Sequence, residues 1–331
     1  MKAKAVRFDR TGGPEVLELR EVQVGAPGPG ELRVRVDAIG LNRAEVMFRE
    51  GSYLYQPSFP SGLGYEASGV VEAVGDEVSV FSEGDAVSVV PAFRLTDYGT
   101  YGDHVLVPAA AAVARPVGTS PETAAATWMA YLTAYGALAE DGRLRPGDHV
   151  LITAASSSVG LAAIQTAHRL GVVPIATTRT ESKKQRLLDA GAADVIVTET
   201  EDLPDRIANI TGGTGVRKAI DPVAGPGVDA LSRAISPGGQ LLVYGALDQR
   251  RTPLPRAQHF PALTTRTYTV FEVTTDPERL RRGVAFVNAG LTSGSFTPVM
   301  DKTFTLDAIA DAHRHMETGT HIGKIIVEVP H

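Results

Sequence analysis

His149-Val-Leu-Ile-Thr-Ala-Ala-Ser-Ser-Ser-Val-Gly-Leu-Ala-Ala-Ile-Gln-Thr-Ala-His168 decides how this chain is read. An apolar run over 149–153 stops at small residues and passes into a helical period in which Val159, Ala162, Ala163, Gln165 and Thr166 carry no charge. The pattern predicts a strand, a tight turn and a helix. Small side chains over 154–158 let a ligand approach the backbone, and free N–H groups at the helix start favour an anion. A dinucleotide pyrophosphate suits such a turn. Ser156, Ser157 and Ser158 stand where glycines are usual and only Gly160 remains, so a plain strand–helix turn stays open as the alternative.

The pattern repeats downstream, with a strand over 172–177, a helix over 181–189 and a strand over 193–197. A parallel sheet built from such units places ligands at the carboxyl ends of its strands. After the second strand, an acidic residue would accept from the ribose 2′-OH of NAD. This chain instead has Thr177-Thr178-Arg179-Thr180, with Lys183 and Lys184 behind. A guanidinium fork and an ammonium there fit a 2′-phosphate, so NADPH is the expected cofactor. The alternative is a solvated basic helix start. Glu181 and Glu201 fall too late to serve as the NAD acid.

Composition sets the outer bounds. The chain has 331 residues, enough for two domains, with 43% hydrophobic residues, 21% charged residues and a formal net charge of −6. Mild negative charge without a basic run argues against nucleic acid as a partner. Residues 1–8 alternate charged and apolar groups and show no secretory signal. The uncharged stretch 123–139 is short for a membrane span and reads as a buried helix. A cytoplasmic protein with no membrane partner is therefore expected. Cysteine is absent, which excludes disulfides, thiolate nucleophiles and cysteine-ligated zinc. The eight histidines show no metal spacing, and His313 and His315 point to different faces of a helix.

Working outward, residues 2–36 alternate with a period of two, broken by Gly12-Gly-Pro14 and by 25–30. Residues 42–49 form a short helix, and 51–57 an aromatic loop whose Tyr53 and Tyr55 either pack or function. Strands follow over 70–74, 86–90 and 100–107. This first part predicts a barrel or partly open sandwich. After Pro121 the expected order is a long helix over 122–139, the turn at 154–158, strands at 218–220 and 239–245 separated by a helix over 227–235, a sixth strand over 266–271, and a helix over 277–289. The resulting fold class is α/β, a doubly wound parallel Rossmann sheet plus a separate β domain. A strand over 298–303, a helix over 306–317 and a strand over 322–329 return to the β style of the beginning. The expected domains are 1–121, 122–292 and a return segment 293–331.

The sequence now resembles the medium-chain dehydrogenase/reductase superfamily, and within it the zinc-free quinone oxidoreductase (zeta-crystallin-like) branch. The resemblance covers essentially the whole chain. Its carriers are Gly62-Leu-Gly-Tyr-Glu-Ala-Ser-Gly69, Gly84-Asp-Ala-Val87, Gly99-Thr-Tyr-Gly-Asp103, Tyr131-Leu-Thr-Ala-Tyr135, Ala154-Ala-Ser-Ser-Ser-Val-Gly160, Ala190-Gly-Ala192 and Gly323-Lys-Ile325. It implies a GroES-like β-barrel domain with a nucleotide-binding domain inserted before the final strands. Zinc-dependent relatives carry a ligand cysteine where this chain has Asn42, and the histidine of Gly-His-Glu where it has Tyr65 beside Glu66. A carboxylate without its two companions holds zinc poorly, so no metal is expected.

Without a Lewis acid an unactivated alcohol is a difficult substrate, whereas a quinone or activated enone needs orientation and hydrogen bonds. The resemblance puts Asn42 and Tyr53 at the substrate cleft, Asn42 as amide donor and Tyr53 as hydroxyl donor or proton source. Asn42 reads equally as the cap of the helix it starts. For the cofactor it implies Thr127 and Thr133 near the nicotinamide, and Ser156, Ser157, Ser158 and Val159 at the pyrophosphate. Thr178, Arg179 and Lys183 are expected at the 2′-phosphate, Gly245 under the ribose, and Lys324 closing the site. Thr133 is otherwise a hydroxyl bonded to its own helix, and Asp221 a loop-shaping residue. Tyr53, Tyr55, Phe93 and Tyr101 are expected to line a site for a flat substrate. A homodimer through the strand at 266–271 is implied. Three functions stand: an NADPH-dependent quinone or enone reductase, an enoyl-thioester or biosynthetic enoyl reductase, and a non-catalytic NADPH-binding protein.

Overall fold

The computed structural model describes residues 1–141, 143–255 and 262–331. They form two compact units. One comprises Met1–Met129, Val273–Val284 and Pro298–His331, and the other Ala130–Glu272 and Ala285–Thr297.

The first unit begins with β1 (Lys2–Arg7), whose lysines face solvent and whose alanines face inward, paired antiparallel with β2 (Glu18–Gln23). In β3 (Glu31–Gly40) Leu32, Val34, Val36 and Ala38 are all buried, the period-two signature of a strand with one face in a core. Next come α1 (Arg43–Glu50), β4 (Ala67–Val74), β5 (Ala86–Val89), β6 (His104–Pro108), β7 (Ala112–Ala114) and α2 (Pro121–Ala125), which Ser120 caps by accepting from Thr123 N–H.

The second unit carries α3 (Trp128–Tyr135, whose last residues fall in this unit), a π-helical turn over Gly136–Glu140, β8 (His149–Ile152), α4 (Ser158–Arg169), β9 (Val173–Thr178) and α5 (Lys184–Asp189). Then follow β10 (Asp194–Val197), α6 (Leu203–Ile210), β11 (Val216–Asp221), α7 (Val228–Arg233), β12 (Ile235–Val243), β13 (Thr264–Thr267) and α8 (Phe271–Thr274, whose last two residues fall in the first unit). After α9 (Pro277–Thr292), the chain closes with β14 (Met300–Thr305), α10 (Ile309–Thr318) and β15 (Lys324–Glu328).

Two sheets organise these elements. In the first unit β3 pairs with β4 along one edge. Along the other it pairs with β6 over 31–35 and with β15 over 38–40. In the second unit six strands pair in parallel in the order β10-β9-β8-β11-β12-β13, a doubly wound sheet whose order reverses between β8 and β11. Leu151, Ile175, Ile196 and Leu241 share a core with Leu203 and Ile207 of α6 and Leu231 of α7. Burying each such side chain contributes about 1.5–3 kcal/mol.

Three expectations need correction. The single helix over 122–139 is broken, because Met129 N–H turns out of the helix to donate to the Glu66 carboxylate (3.0 Å), so α3 starts afresh. The sixth strand is β13, placed earlier than 266–271, and Phe271 begins a helix. Helix α6 is an addition: Asp202 caps it by accepting from Asp205 N–H (3.0 Å), Pro204 lies in its first turn, and Leu203 and Ile207 bury one face.

Candidate functional site

In the second unit β8, β9, β11 and β12 run level, Ile152 beside Ala176 and Ile220, and Ile220 beside Leu242. Their carboxyl ends therefore deliver 153–158, 179–183, 221–225 and 244–245 to one edge of the sheet, astride the reversal of strand order. That edge is where open α/β sheets take ligands. Ser157 is the N-cap of α4 and its hydroxyl accepts from Gly160 N–H (3.1 Å), while Ser158 and Val159 N–H have no acceptor among the described residues. A Cβ on Gly160 would lie 2.5 Å from Ala155, so helix and turn approach too closely for any side chain. A Cβ on Gly245 would lie 2.7 Å from the Pro222 carbonyl oxygen. Ala154 and Ala224, at the ends of β8 and β11, hold φ of +47° and +61°. Alanine rarely adopts such angles, at a cost of about 1–2 kcal/mol each.

Asp221 has the loop-shaping role. Its carboxylate accepts from the Thr153 hydroxyl, Val223 N–H (3.2 Å) and Ala224 N–H (2.7 Å), while burial pushes its pKa up. Beyond β9, Thr178 Oγ1 donates to the Thr180 carbonyl (3.3 Å), and Lys183 Nζ donates to Ser156 Oγ (3.3 Å), tying the second turn to the first. The exposed Arg179 guanidinium has no carboxylate partner among the described residues. Backbone donors and the Arg179 and Lys183 cations, with two glycines that leave no room for a Cβ, fit a nicotinamide dinucleotide.

In the first unit the polar residues are buried rather than open. Asn42 starts α1, and its backbone N–H donates to Glu45 Oε2 (2.7 Å). Its amide nitrogen donates to the Gly40 carbonyl (3.0 Å) and Glu45 Oε1 (3.2 Å), so both amide hydrogens are engaged within the protein. Its amide oxygen accepts from Lys324 Nζ (2.6 Å), which also donates to Glu66 Oε2 (2.5 Å). Lys324, Glu45 and Glu66 are fully enclosed. Asn42 thus has both amide hydrogens committed within the protein, and the Lys324 ammonium is engaged by Glu66 and Asn42 inside this unit. Burial pushes the Glu45 and Glu66 carboxyls up, and the hydrogen bonds they accept and the Lys324 charge oppose it.

The network continues beyond Glu45. Tyr101 donates to Glu45 Oε2 (2.6 Å) and lies 3.1 Å from His313 Nε2, while His313 Nδ1 faces Arg49 Nη1 at 3.0 Å. A guanidinium only donates, so Nδ1 is unprotonated and Nε2–H donates to Tyr101. Burial first, and the Arg49 and Arg43 charges second, hold the His313 pKa down at about 3. Arg49 reaches Glu317 Oε1 at 2.8 Å and donates to the Gly12 carbonyl at 2.9 Å. Tyr101, expected to line the substrate site, is instead enclosed in this network.

Tyr53 and Tyr55 stand half-buried in an aromatic wall. The Tyr53 ring packs edge-on to Phe48 (6.4 Å between centroids) and Tyr55 (5.4 Å), and Tyr65 packs on Phe93 (5.7 Å). Tyr65 donates to the Tyr53 oxygen at 3.3 Å. Burial pushes the Tyr53 phenol up to about 12, against the lowering effect of that bond. Thr127 uses its hydroxyl on the Thr123 carbonyl (2.7 Å), and Thr133 is buried in α3. Sequence reasoning missed Glu45, although the spacing Asn42-x-x-Glu45 is a helix-start signature. It also missed Arg49 and His313, which lie 264 residues apart with no local signal joining them. Among the described residues no group of three or more His, Asp or Glu is arranged to hold a metal ion, and no helix is long and apolar enough to cross a membrane.

A family model described as the alcohol dehydrogenase GroES-like domain matches residues 28–140, and one described as zinc-binding dehydrogenase matches 158–290. Human quinone oxidoreductase is 31% identical over 98% of this chain and 97% of its own length. The chain belongs to the medium-chain dehydrogenase/reductase superfamily, in its zinc-free quinone oxidoreductase branch. The crystal structure of Escherichia coli quinone oxidoreductase complexed with NADPH superposes on it with a TM-score of 0.92 at 30% identity, covering 98% of this chain and 99% of that one. A phenolphthiocerol/phthiocerol polyketide synthase of Mycobacterium tuberculosis is 30% identical over 99% of this chain, which spans 15% of that relative's length. The chain is therefore an oxidoreductase of this family that uses a nicotinamide cofactor, on the GroES-like and Rossmann fold read from its sequence.

Proposed function

We propose that this protein is a zinc-independent, NADPH-dependent reductase of a quinone or activated enone. The observation that carries the reading is the state of Glu66. It is the one residue that matches a zinc-ligand position in type, and its carboxylate is closed off by the Lys324 ammonium at 2.5 Å. Reduction then rests on hydrogen-bond donors and on an acceptor that delocalises charge by itself.

The bound cofactor supplies a hydride ion, two electrons with one hydrogen. In an enone the β-carbon gains that hydride, the C=C π pair moves into the conjugated carbonyl, and the oxygen takes the negative charge. Tyr53 donates a hydrogen bond to that oxygen, an interaction worth about 3 kcal/mol when the donor is preorganised. A proton from solvent or the phenol then completes the reduction. Arg179, with Lys183, takes the 2′-phosphate, and 156–159 with Gly245 take the pyrophosphate and ribose. Lys324 and Glu66 hold Asn42 in place.

The match to a polyketide synthase supports a second reading, reduction of an enoyl thioester, in which Tyr53 protonates the α-carbon. The assay pairs the protein with NADPH and then NADH, against a small quinone, an α,β-unsaturated ketone and a crotonyl thioester, following cofactor absorbance. The expected result is NADPH oxidation with quinone or enone and a weaker response to NADH. Selective thioester turnover replaces the first reading with the second. Tight NADPH binding without turnover of any of the three assigns the chain to non-catalytic nucleotide binding, and equal use of NADH removes the role given to Arg179.

A further inference from the structure

Tyr65 lies where zinc-dependent relatives place a histidine ligand, and its phenol is buried against the rings of Tyr53 and Phe93. The three tyrosine oxygens of this wall follow one another. Tyr55 and Tyr65 are 2.5 Å apart, and Tyr65 to Tyr53 is 3.3 Å. The direction of the chain follows from its inner end. Leu95 N–H donates to the Tyr55 oxygen at 2.9 Å, and the Arg94 guanidinium sits 4.6 Å over the Tyr55 ring. The Tyr55 oxygen is thus already occupied as an acceptor, and because Tyr65 spends its one hydrogen on Tyr53, the short Tyr55–Tyr65 contact takes its hydrogen from Tyr55. Tyr55 then donates to Tyr65, and Tyr65 donates to Tyr53. A phenol carries one hydrogen. The Tyr53 oxygen accepts from Tyr65, and its own hydrogen has no acceptor among the described residues.

We propose that Tyr55, Tyr65 and Tyr53 form a one-way hydrogen-bond relay in which Tyr65 is a positioning residue that aims the Tyr53 O–H at the oxygen of the reducible carbonyl. This rests on the quinone or enone reading for its consequence, while the relay itself is a property of the protein alone. Hydrogen bonds in such a chain polarise one another, so Tyr53 donates better with Tyr65 behind it than without. Phe93 on the Tyr65 ring and Phe48 on the Tyr53 ring keep both phenols from rotating away.

The test uses the full chain and the variants Tyr53→Phe, Tyr65→Phe, Tyr55→Phe and the double Tyr53→Phe/Tyr65→Phe. Each keeps its ring, so the wall still packs. With but-3-en-2-one and NADPH, Tyr65→Phe is expected to lower kcat about tenfold at unchanged KM and unchanged NADPH affinity. Tyr53→Phe is expected to lower kcat about a hundredfold, and the double variant to match Tyr53→Phe. Independently of turnover, the ζ-carbon-13 resonance of Tyr53, assigned by its loss in Tyr53→Phe, is expected to move in Tyr65→Phe. It should move less, in the same direction, in Tyr55→Phe. Losses that multiply in the double variant, or a Tyr53 resonance indifferent to Tyr65, overturn the relay. If the wild-type protein reduces neither quinone nor enone, the functional reading fails while the resonance still decides the relay.

Discussion

Lys324 and Arg179 are both cations that the sequence places at the cofactor, and the structure treats them in opposite ways. Lys324 is enclosed, with its ammonium on Glu66 and Asn42. Arg179 stands exposed at the end of β9 with no carboxylate partner among the described residues. The first has its counter-charge inside the fold, so removing it alone strands a buried carboxylate. The second lacks one, so it is available to an anion from outside. The same division separates the sealed network from Asn42 to Arg49 from the sheet edge that carries 154–158.

Removing Lys324 tests the sealed side most severely. Lys324→Met leaves the Glu66 carboxylate buried without a counter-charge, and breaking a buried pair from one side costs about 3–5 kcal/mol. Urea unfolding is expected to show that loss, and Lys324→Met/Glu66→Gln to recover most of it by removing the stranded charge. A Lys324→Met protein of unchanged stability but weakened NADPH binding would reverse the assignment and put Lys324 with Arg179.

His313 sharpens the same side through pH. Its folded pKa of about 3 lies below the value of about 6.5 for an unfolded imidazole, so the unfolded chain binds the proton more tightly. The stabilising contribution is present above about pH 6.5 and is lost as pH falls toward 3, at about 1.4 kcal/mol per unit. His313→Gln can accept from Arg49 and donate to Tyr101, as the neutral imidazole does. It is expected to keep the stability seen at neutral pH and to lose one proton's worth of acid sensitivity. Unfolding free energies measured from pH 7 to pH 4 check this, and parallel profiles for the two proteins would mean that His313 is not held neutral.

On the open side, Arg179→Ala is expected to raise the Kd for NADPH about 10- to 100-fold, the worth of a charge-assisted bond of about 1.5–3 kcal/mol, and to leave NADH and stability unchanged. Calorimetry with both cofactors measures it. Equal weakening for the two would place Arg179 on the shared pyrophosphate.

What could be read in advance follows from the range of the interactions. Strand, turn and helix over 149–168, the basic residues after β9 and the return of the tail to β3 are carried by local period and by residue type. The break between α2 and α3 was not legible, because it depends on the carboxylate of Glu66, 63 residues earlier, capturing Met129 N–H. Tyr101 is a loop aromatic in sequence, and only its contact with His313, 212 residues away, places it inside the network. Helix α6 is different. Asp202, Pro204 and the spacing of Leu203, Ile207 and Ile210 announce it locally.

The smallest effect lies at the turn itself. Ala154 holds φ at +47°, which costs about 1 kcal/mol that glycine does not incur. Ala154→Gly relieves that cost, yet gives the unfolded chain freedom worth about 0.4–1 kcal/mol in the opposite direction. The two nearly cancel, so thermal unfolding is expected to shift little. Ala154→Val has no such offset: it keeps the steric cost and adds a β-branch at a positive φ, so it is expected to destabilise by more than about 1 kcal/mol. A stabilised Ala154→Gly protein that binds NADPH more weakly would indicate that the angle serves the ligand and not the fold. Equal stability for Gly, Ala and Val at 154 would mean that the turn relaxes, and the close approach of Gly160 to Ala155 would then be the feature that keeps it in shape.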